Sequence, residues 1–113
     1  MITQVSPQDL SAWIASTGAG APAVLLDVRQ PWDLQTACVT ADGFELVAIP
    51  MGEVPARLAE LDADRPVAVL CHHGARSLRV AGFLVQNGFG QVANVAGGIE
   101  AWSRERDAAV PRY

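Results

Sequence analysis

Four short, mostly apolar runs set the limits on what this chain can fold into. Ala23–Val28, Phe44–Ile49, Pro66–Leu70 and Val92–Val95 hold four to six residues each, and each is closed by a charge, a proline or a glycine-containing loop. Runs of that length read as buried strands, not as helices. The stretches between them carry helical spacing. Ser6-Pro7-Gln8-Asp9 is a helix start, with serine able to cap, proline suited to the first turn and Asp9 able to complete a capping box. Leu10, Trp13 and Ile14 then share one face, and Gly18 and Gly20 end the helix. Pro31 breaks the next strand and Trp32–Ala37 predicts a helical turn. Val54, Leu58 and Leu61 fall at helical spacing within Gly52–Leu61. Ser77–Gln86 predicts a helix stopped by Asn87-Gly88, and Ile99–Arg106 predicts a last short one after Gly97-Gly98. The tail Val110-Pro111-Arg112-Tyr113 reads as irregular.

Strands alternating with helices predict an α/β domain with a mainly parallel central sheet and helices on both faces. The 113 residues suffice for one domain with a packed core, and no linker, repeat or low-complexity stretch divides them, so residues 1–113 are read as a single domain. No apolar run reaches the roughly 20 residues that span a bilayer. The start, Met1-Ile2-Thr3-Gln4-Val5, has neither a charged nor an apolar signal region, so a cytoplasmic protein without a membrane partner is expected. The net charge of −4 argues against nucleic-acid binding. All eight basic residues are arginine, which excludes lysine Schiff-base chemistry and a phosphate-loop lysine. Two cysteines, Cys38 and Cys71, are too few for a disulfide scaffold. Cys38 reads as an incidental or packed thiol, the alternative being a resolving partner.

The chemistry concentrates in Cys71-His72-His73-Gly74-Ala75-Arg76-Ser77, between a predicted strand and a predicted helix. Parallel sheets bind ligands beyond the carboxyl ends of their strands, and Cys71 stands at such an end. Backbone N–H groups at a helix start are unpaired and hold anions, a thiolate included. A helix N-terminus and a nearby arginine both favour the thiolate. Gly74 lets successive amides curl toward one point. Arg76 offers a planar fork for an oxyanion, and Ser77 can cap the helix or donate a hydrogen bond. His72 and His73 line the loop mouth and tune local charge; three consecutive residues with no second ligand cluster do not predict a metal site. Asp27 and Arg29, at a strand end, read as a pair that fixes the loops, with substrate contact as the alternative. Gly97-Gly98 reads as a tight chain reversal and Trp13, Trp32 and Trp102 as core or edge aromatics.

In these residues the chain resembles a single-domain rhodanese, a sulfurtransferase. Asp27-Val28-Arg29-Gln30-Pro31 is similar to the family's Asp-Val-Arg motif, and the Cys71–Arg76 loop has the family's length and central glycine. Asn94-Val95-Ala96-Gly97-Gly98-Ile99-Glu100-Ala101-Trp102 is similar to its late Gly-Gly-x-x-Ala-Trp element. The chain departs from the pattern at Asp33-Leu34, at Thr36–Phe44, which lacks a Gly-His-Ile element, and at Ala96. The resemblance implies a rhodanese-like fold and a Cys71 that takes a sulfane sulfur as a persulfide from a small anionic donor such as thiosulfate. A thiol or cyanide acceptor, or a protein, would then take the sulfur. His72, His73, Gly74, Ala75, Arg76 and Ser77 would form the donor site, with Arg76 orienting it and neither metal nor organic cofactor required. Two alternatives stand beside this. One is a sulfur carrier or regulatory module serving a protein partner. The other is a cysteine phosphatase or arsenate reductase of the same fold. The four residues His72–Ala75 between cysteine and arginine make a tight cradle, better matched to sulfur than to a tetrahedral phosphate.

Overall fold

The computed structural model describes residues 2–18, 20–41 and 43–111. Among the described residues five strands form one sheet: β1 (Thr3–Val5), β2 (Val24–Asp27), β3 (Glu45–Ala48), β4 (Val67–Leu70) and β5 (Val92–Val95). Their spatial order is β1-β5-β4-β2-β3 and every pairing is parallel. Four α-helices accompany them: α1 (Leu10–Ser16), α2 (Pro31–Thr36), α3 (Ala75–Gln86) and α4 (Gly98–Glu105).

Side chains alternate across the pleat and so build two cores. Leu25, Ala68, Leu70, Ala93 and Val95 pack under Leu10 of α1 and Ile99 and Trp102 of α4. Val24, Leu26, Val67, Val69 and Val92 pack on the other face under Val80, Ala81 and Leu84 of α3. The predicted α/β architecture with helices on both faces is therefore present. Trp102 is 1% exposed and meets Phe44 edge-on at 6.0 Å between ring centroids. Trp13 is partly buried against the same core, but Trp32 departs from the core-or-edge expectation and stands 67% exposed. No helix among the described residues is long and apolar enough to cross a membrane.

The sequence-based elements differ from the observed ones in four places. β1 was not predicted; it is an edge strand of three residues with only Val5 buried. Ser6 does not cap a backbone amide, because its hydroxyl donates to the Asp9 carboxylate at 3.0 Å and Pro7–Asp9 forms a 3-10 turn ahead of α1. Gly52–Leu61 holds no α-helix, only 3-10 turns at Met51–Glu53 and Leu58–Glu60; Pro55 between them removes an amide donor. Finally, α3 begins two residues early, at Ala75, with Gly74 in the cap position. Of the expected irregular tail, Arg112 and Tyr113 lie outside the described residues.

β2 and β4 are adjacent, yet the chain leaves β2 toward β3 on one side and β4 toward β5 on the other. This divergence opens a crevice at the carboxyl ends of the two central strands, the usual ligand position in an open parallel sheet.

Candidate active site

Cys71 follows β4 directly and is 4% exposed. Its Sγ accepts hydrogen bonds from the Gly74 N–H at 3.0 Å and the Ser77 N–H at 3.4 Å. Both donors belong to the cap and first turn of α3, amides with no partner inside their helix. The turn needs a glycine: Gly74 has φ +100°, and a Cβ there would meet the Gly97 N–H nitrogen at 3.1 Å. Gly74 thus takes the cap position, one of the two roles the sequence offers Ser77.

Ser77 instead works from inside the helix. Its Oγ accepts from the Cys71 thiol at 3.2 Å, and its one proton can serve the Gly74 carbonyl at 3.1 Å or Asn94 Oδ1, both within reach. Asn94, buried in β5, donates to the Gly74 carbonyl at 3.1 Å and to Gln4 Oε1 of β1 at 3.0 Å. The sulfur therefore rests on a buried polar network running from α3 through β5 to β1. Sequence reasoning placed Asn94 in a motif but gave it no task. The available signal was a polar residue inside the otherwise apolar run Val92–Val95.

A second clamp holds the loop from behind. Ile99 N–H donates to the Cys71 carbonyl at 2.8 Å and Glu100 N–H to the His72 carbonyl at 3.3 Å, both from the start of α4. Gly98 makes this approach possible, since a Cβ there would sit 2.4 Å from both carbonyl oxygens. Gly97-Gly98 is more than a chain reversal; it is the seat of the cysteine loop.

The loop closes one wall of a cleft of about 240 Å³, lined by Val28, Arg29, Gln30, Asp33, Met51, Cys71, His72, His73, Ala75 and Arg76. Five of the seven predicted site residues are brought to this cleft, while Gly74 and Ser77 lie behind the sulfur and hold it. Arg76 is exposed on the first turn of α3, and no carboxylate among the described residues pairs with it. His72 and His73 stack with centroids 4.0 Å apart, and His73 Nδ1 lies 3.0 Å from Glu100 Oε2. On the opposite wall, the buried Arg29 guanidinium donates to Asp27 at 2.6 to 3.1 Å. The Asp33 carboxylate accepts the Gln30 N–H at 3.1 Å and anchors α2. This supports the loop-fixing reading of the Asp27–Arg29 pair. Cys38, exposed beyond α2 and unbridged, does not line the cleft.

A thiol cradled by amides at a strand-to-helix turn, with a cation at its rim, suits nucleophilic chemistry on an anionic substrate. The sequence matches the rhodanese-like domain family over residues 6–105. The chain belongs to the rhodanese-like domain family. Among curated relatives, a sulfurtransferase of Allochromatium vinosum is 33% identical over 104 residues, covering 92% of this chain and 91% of its own. Among solved structures, a rhodanese-related protein of Thermoplasma volcanium superposes with a TM-score of 0.73 at 30% identity, covering 92% of this chain and 93% of that one. The polysulfide-sulfur transferase homodimer of Wolinella succinogenes gives a TM-score of 0.70 at 28% identity, covering 92% and 74% respectively. The Asp27–Arg29, Cys71–Arg76 and Gly97–Trp102 elements of this rhodanese-like domain all converge on one end of the sheet.

Proposed function

We propose that residues 1–113 act as one rhodanese domain that moves a sulfane sulfur through a persulfide on Cys71. The Cys71 thiolate attacks the outer sulfur of a small anionic donor such as thiosulfate. A new S–S bond forms, the donor's S–S bond breaks, and sulfite leaves with the bonding pair. A thiol or cyanide then attacks the outer sulfur of the persulfide, carries it away, and returns Cys71 to the thiolate. Negative charge moves from Sγ to the outer sulfur when the persulfide forms and returns to Sγ on transfer, so fixed N–H donors at the loop stabilise the thiolate that starts and ends the cycle. The Gly74 and Ser77 amides supply them, and the Ser77 proton can turn toward the sulfur once the thiol has lost its own. Arg76 holds the anionic donor and the departing sulfite. A reducing, cytoplasmic setting would keep Cys71 available as a thiol.

The observation that carries this reading is the amide pair on Cys71 Sγ, at 3.0 and 3.4 Å, at the floor of a cleft rimmed by Arg76. Its test is steady-state transfer from thiosulfate to cyanide. Parallel double-reciprocal lines are expected, the mark of a covalent intermediate with two half-reactions. Hydrolysis of aryl phosphate without sulfur transfer would replace this reading with the phosphatase one.

One observation favours a carrier role alongside the enzyme. Trp32 is 67% exposed on α2, next to Gln30 and Asp33 of the cleft wall. An exposed tryptophan beside a reactive site suits a protein that delivers or collects the sulfur. A Trp32→Ala variant that keeps small-molecule turnover but loses transfer to a protein acceptor would support it.

A further inference from the structure

The two histidines of the loop are not equivalent. His72 is half-buried, whereas the His73 side chain is 64% exposed at the mouth of the cleft. Their rings stack at 4.0 Å with planes 22° apart, so His72 covers one face of His73. The edge of His73 is fixed separately, with Nδ1 lying 3.0 Å from Glu100 Oε2. A contact that short between a ring nitrogen and a carboxylate oxygen puts a proton on Nδ1, and in the neutral ring Nε2 then keeps its lone pair. Glu100 is itself tied to the loop, because its N–H donates to the His72 carbonyl at 3.3 Å from the first turn of α4. The Gly97-Gly98 seat therefore sets both the loop backbone and the orientation of one imidazole. The other charged side chains lining the cleft are Arg76 on α3, and Arg29 and Asp33 on the opposite wall. Arginines cannot accept a proton, and a carboxylate is a weaker base than an imidazole. Asp33 moreover spends an oxygen on the Gln30 N–H.

We infer that His73 is the general base that takes the S–H proton of a thiol acceptor in the second half-reaction, with Glu100 as its positioning residue. The inference rests on the persulfide on Cys71. Loading from thiosulfate joins a thiolate to an anion and moves no proton, but a thiol attacks only as its thiolate. Nε2 takes the proton of the acceptor R–SH, and the acceptor sulfur bonds to the outer sulfur of the persulfide. The bond between that sulfur and Sγ breaks, and its electron pair returns to Cys71. The imidazolium stands beside two anionic sulfurs as they meet, then passes its proton to the product persulfide R–S–S⁻ or to water. Glu100 holds the ring through Nδ1, in the manner of the carboxylate of a catalytic triad.

The experiment loads sulfur onto Cys71 with thiosulfate, removes the donor, and times the loss of the one-sulfur mass in single turnovers. Two acceptors are compared: 2-mercaptoethanol, which carries its proton, and sulfite, which carries none in mildly alkaline buffer. The readout is the thiol-to-sulfite ratio of rates within one protein sample, so a general change in the loop or in the folded fraction cancels. A general base contributes roughly 10²–10⁴-fold, so the ratio should fall on the order of 100-fold in His73→Gln and in His73→Ala. Free imidazole should restore the ratio in His73→Ala, which a merely structural role would not allow. Glu100→Ala, which frees the ring, should lower the ratio by a smaller factor. A ratio retained in both His73 variants, or a fall that imidazole leaves unreversed, overturns the inference, while sulfur gained from thiosulfate upholds the chemistry at Cys71. Failure of the wild-type protein to gain sulfur from thiosulfate would overturn both.

Discussion

Replacing Gly98 by alanine separates backbone strain from steric exclusion in the seat of the cysteine loop. Gly98 has φ +61°, and an added Cβ would lie 2.4 Å from the Cys71 and His72 carbonyl oxygens. Real Cβ contacts stay beyond 3.0 Å, so the loop or α4 must move by at least 0.6 Å, the difference between those two distances. Backbone cannot swing aside as a side chain can. The shift weakens the Ile99 and Glu100 hydrogen bonds to those carbonyls, worth about 1 kcal/mol each. The left-handed conformation adds about 1–2 kcal/mol for a residue with a Cβ. The expected loss is about 3–4 kcal/mol. Gly88 supplies the comparison: its φ is +90°, and an added Cβ there meets nothing within 4 Å. Gly88→Ala should therefore cost the strain alone, about 1–2 kcal/mol. Urea denaturation of both variants reads the two values. Because Sγ rides on the displaced loop, Gly98→Ala should also slow persulfide formation by about 100-fold, while Gly88→Ala leaves it near wild type. Equal stability losses in the two variants would refute the role given to the loop's seat.

Asp27→Asn removes the negative charge that compensates the buried Arg29 guanidinium and should cost about 3–5 kcal/mol, read as a drop in the denaturation midpoint. Arg76→Ala, at an exposed position, should leave stability within about 0.5 kcal/mol. The same change should raise KM for thiosulfate roughly tenfold, with Arg76→Lys in between, since lysine keeps the charge but loses the fork. Asn94→Leu strips the network behind Ser77 of its donor to Gly74 and should destabilise by about 1–3 kcal/mol. Persulfide formation in the folded fraction should slow as well; an unchanged rate would make Asn94 purely a fold element.

The geometry of the candidate site was legible in the sequence because its parts are local. Cys71 to Ser77 is one strand-to-helix turn, and its glycine and arginine announce themselves by spacing. The central strands were legible for a similar reason, since burial on both faces makes them continuous apolar runs. β1 was not, because three residues with two exposed side chains carry no pattern, and its partner β5 lies about ninety residues away. Of the two tasks the sequence offers Ser77, capping α3 or donating a hydrogen bond, the structure has the second. Gly74 holds the cap because the turn demands a positive φ that serine resists. Asn94 was unassigned for the same reason that β1 was missed: its partners Ser77 and Gln4 are distant in the chain, and only the folded sheet brings them together.

Intact mass after thiosulfate treatment bears on Cys71 without relying on any acceptor. Wild-type protein should gain the mass of one sulfur atom, mapped to the peptide holding Cys71 and removed by cyanide as thiocyanate. Cys71→Ser, folded by circular dichroism, should gain none. A sulfur adduct that persists in Cys71→Ser, or one that maps to Cys38, would contradict a persulfide on Cys71.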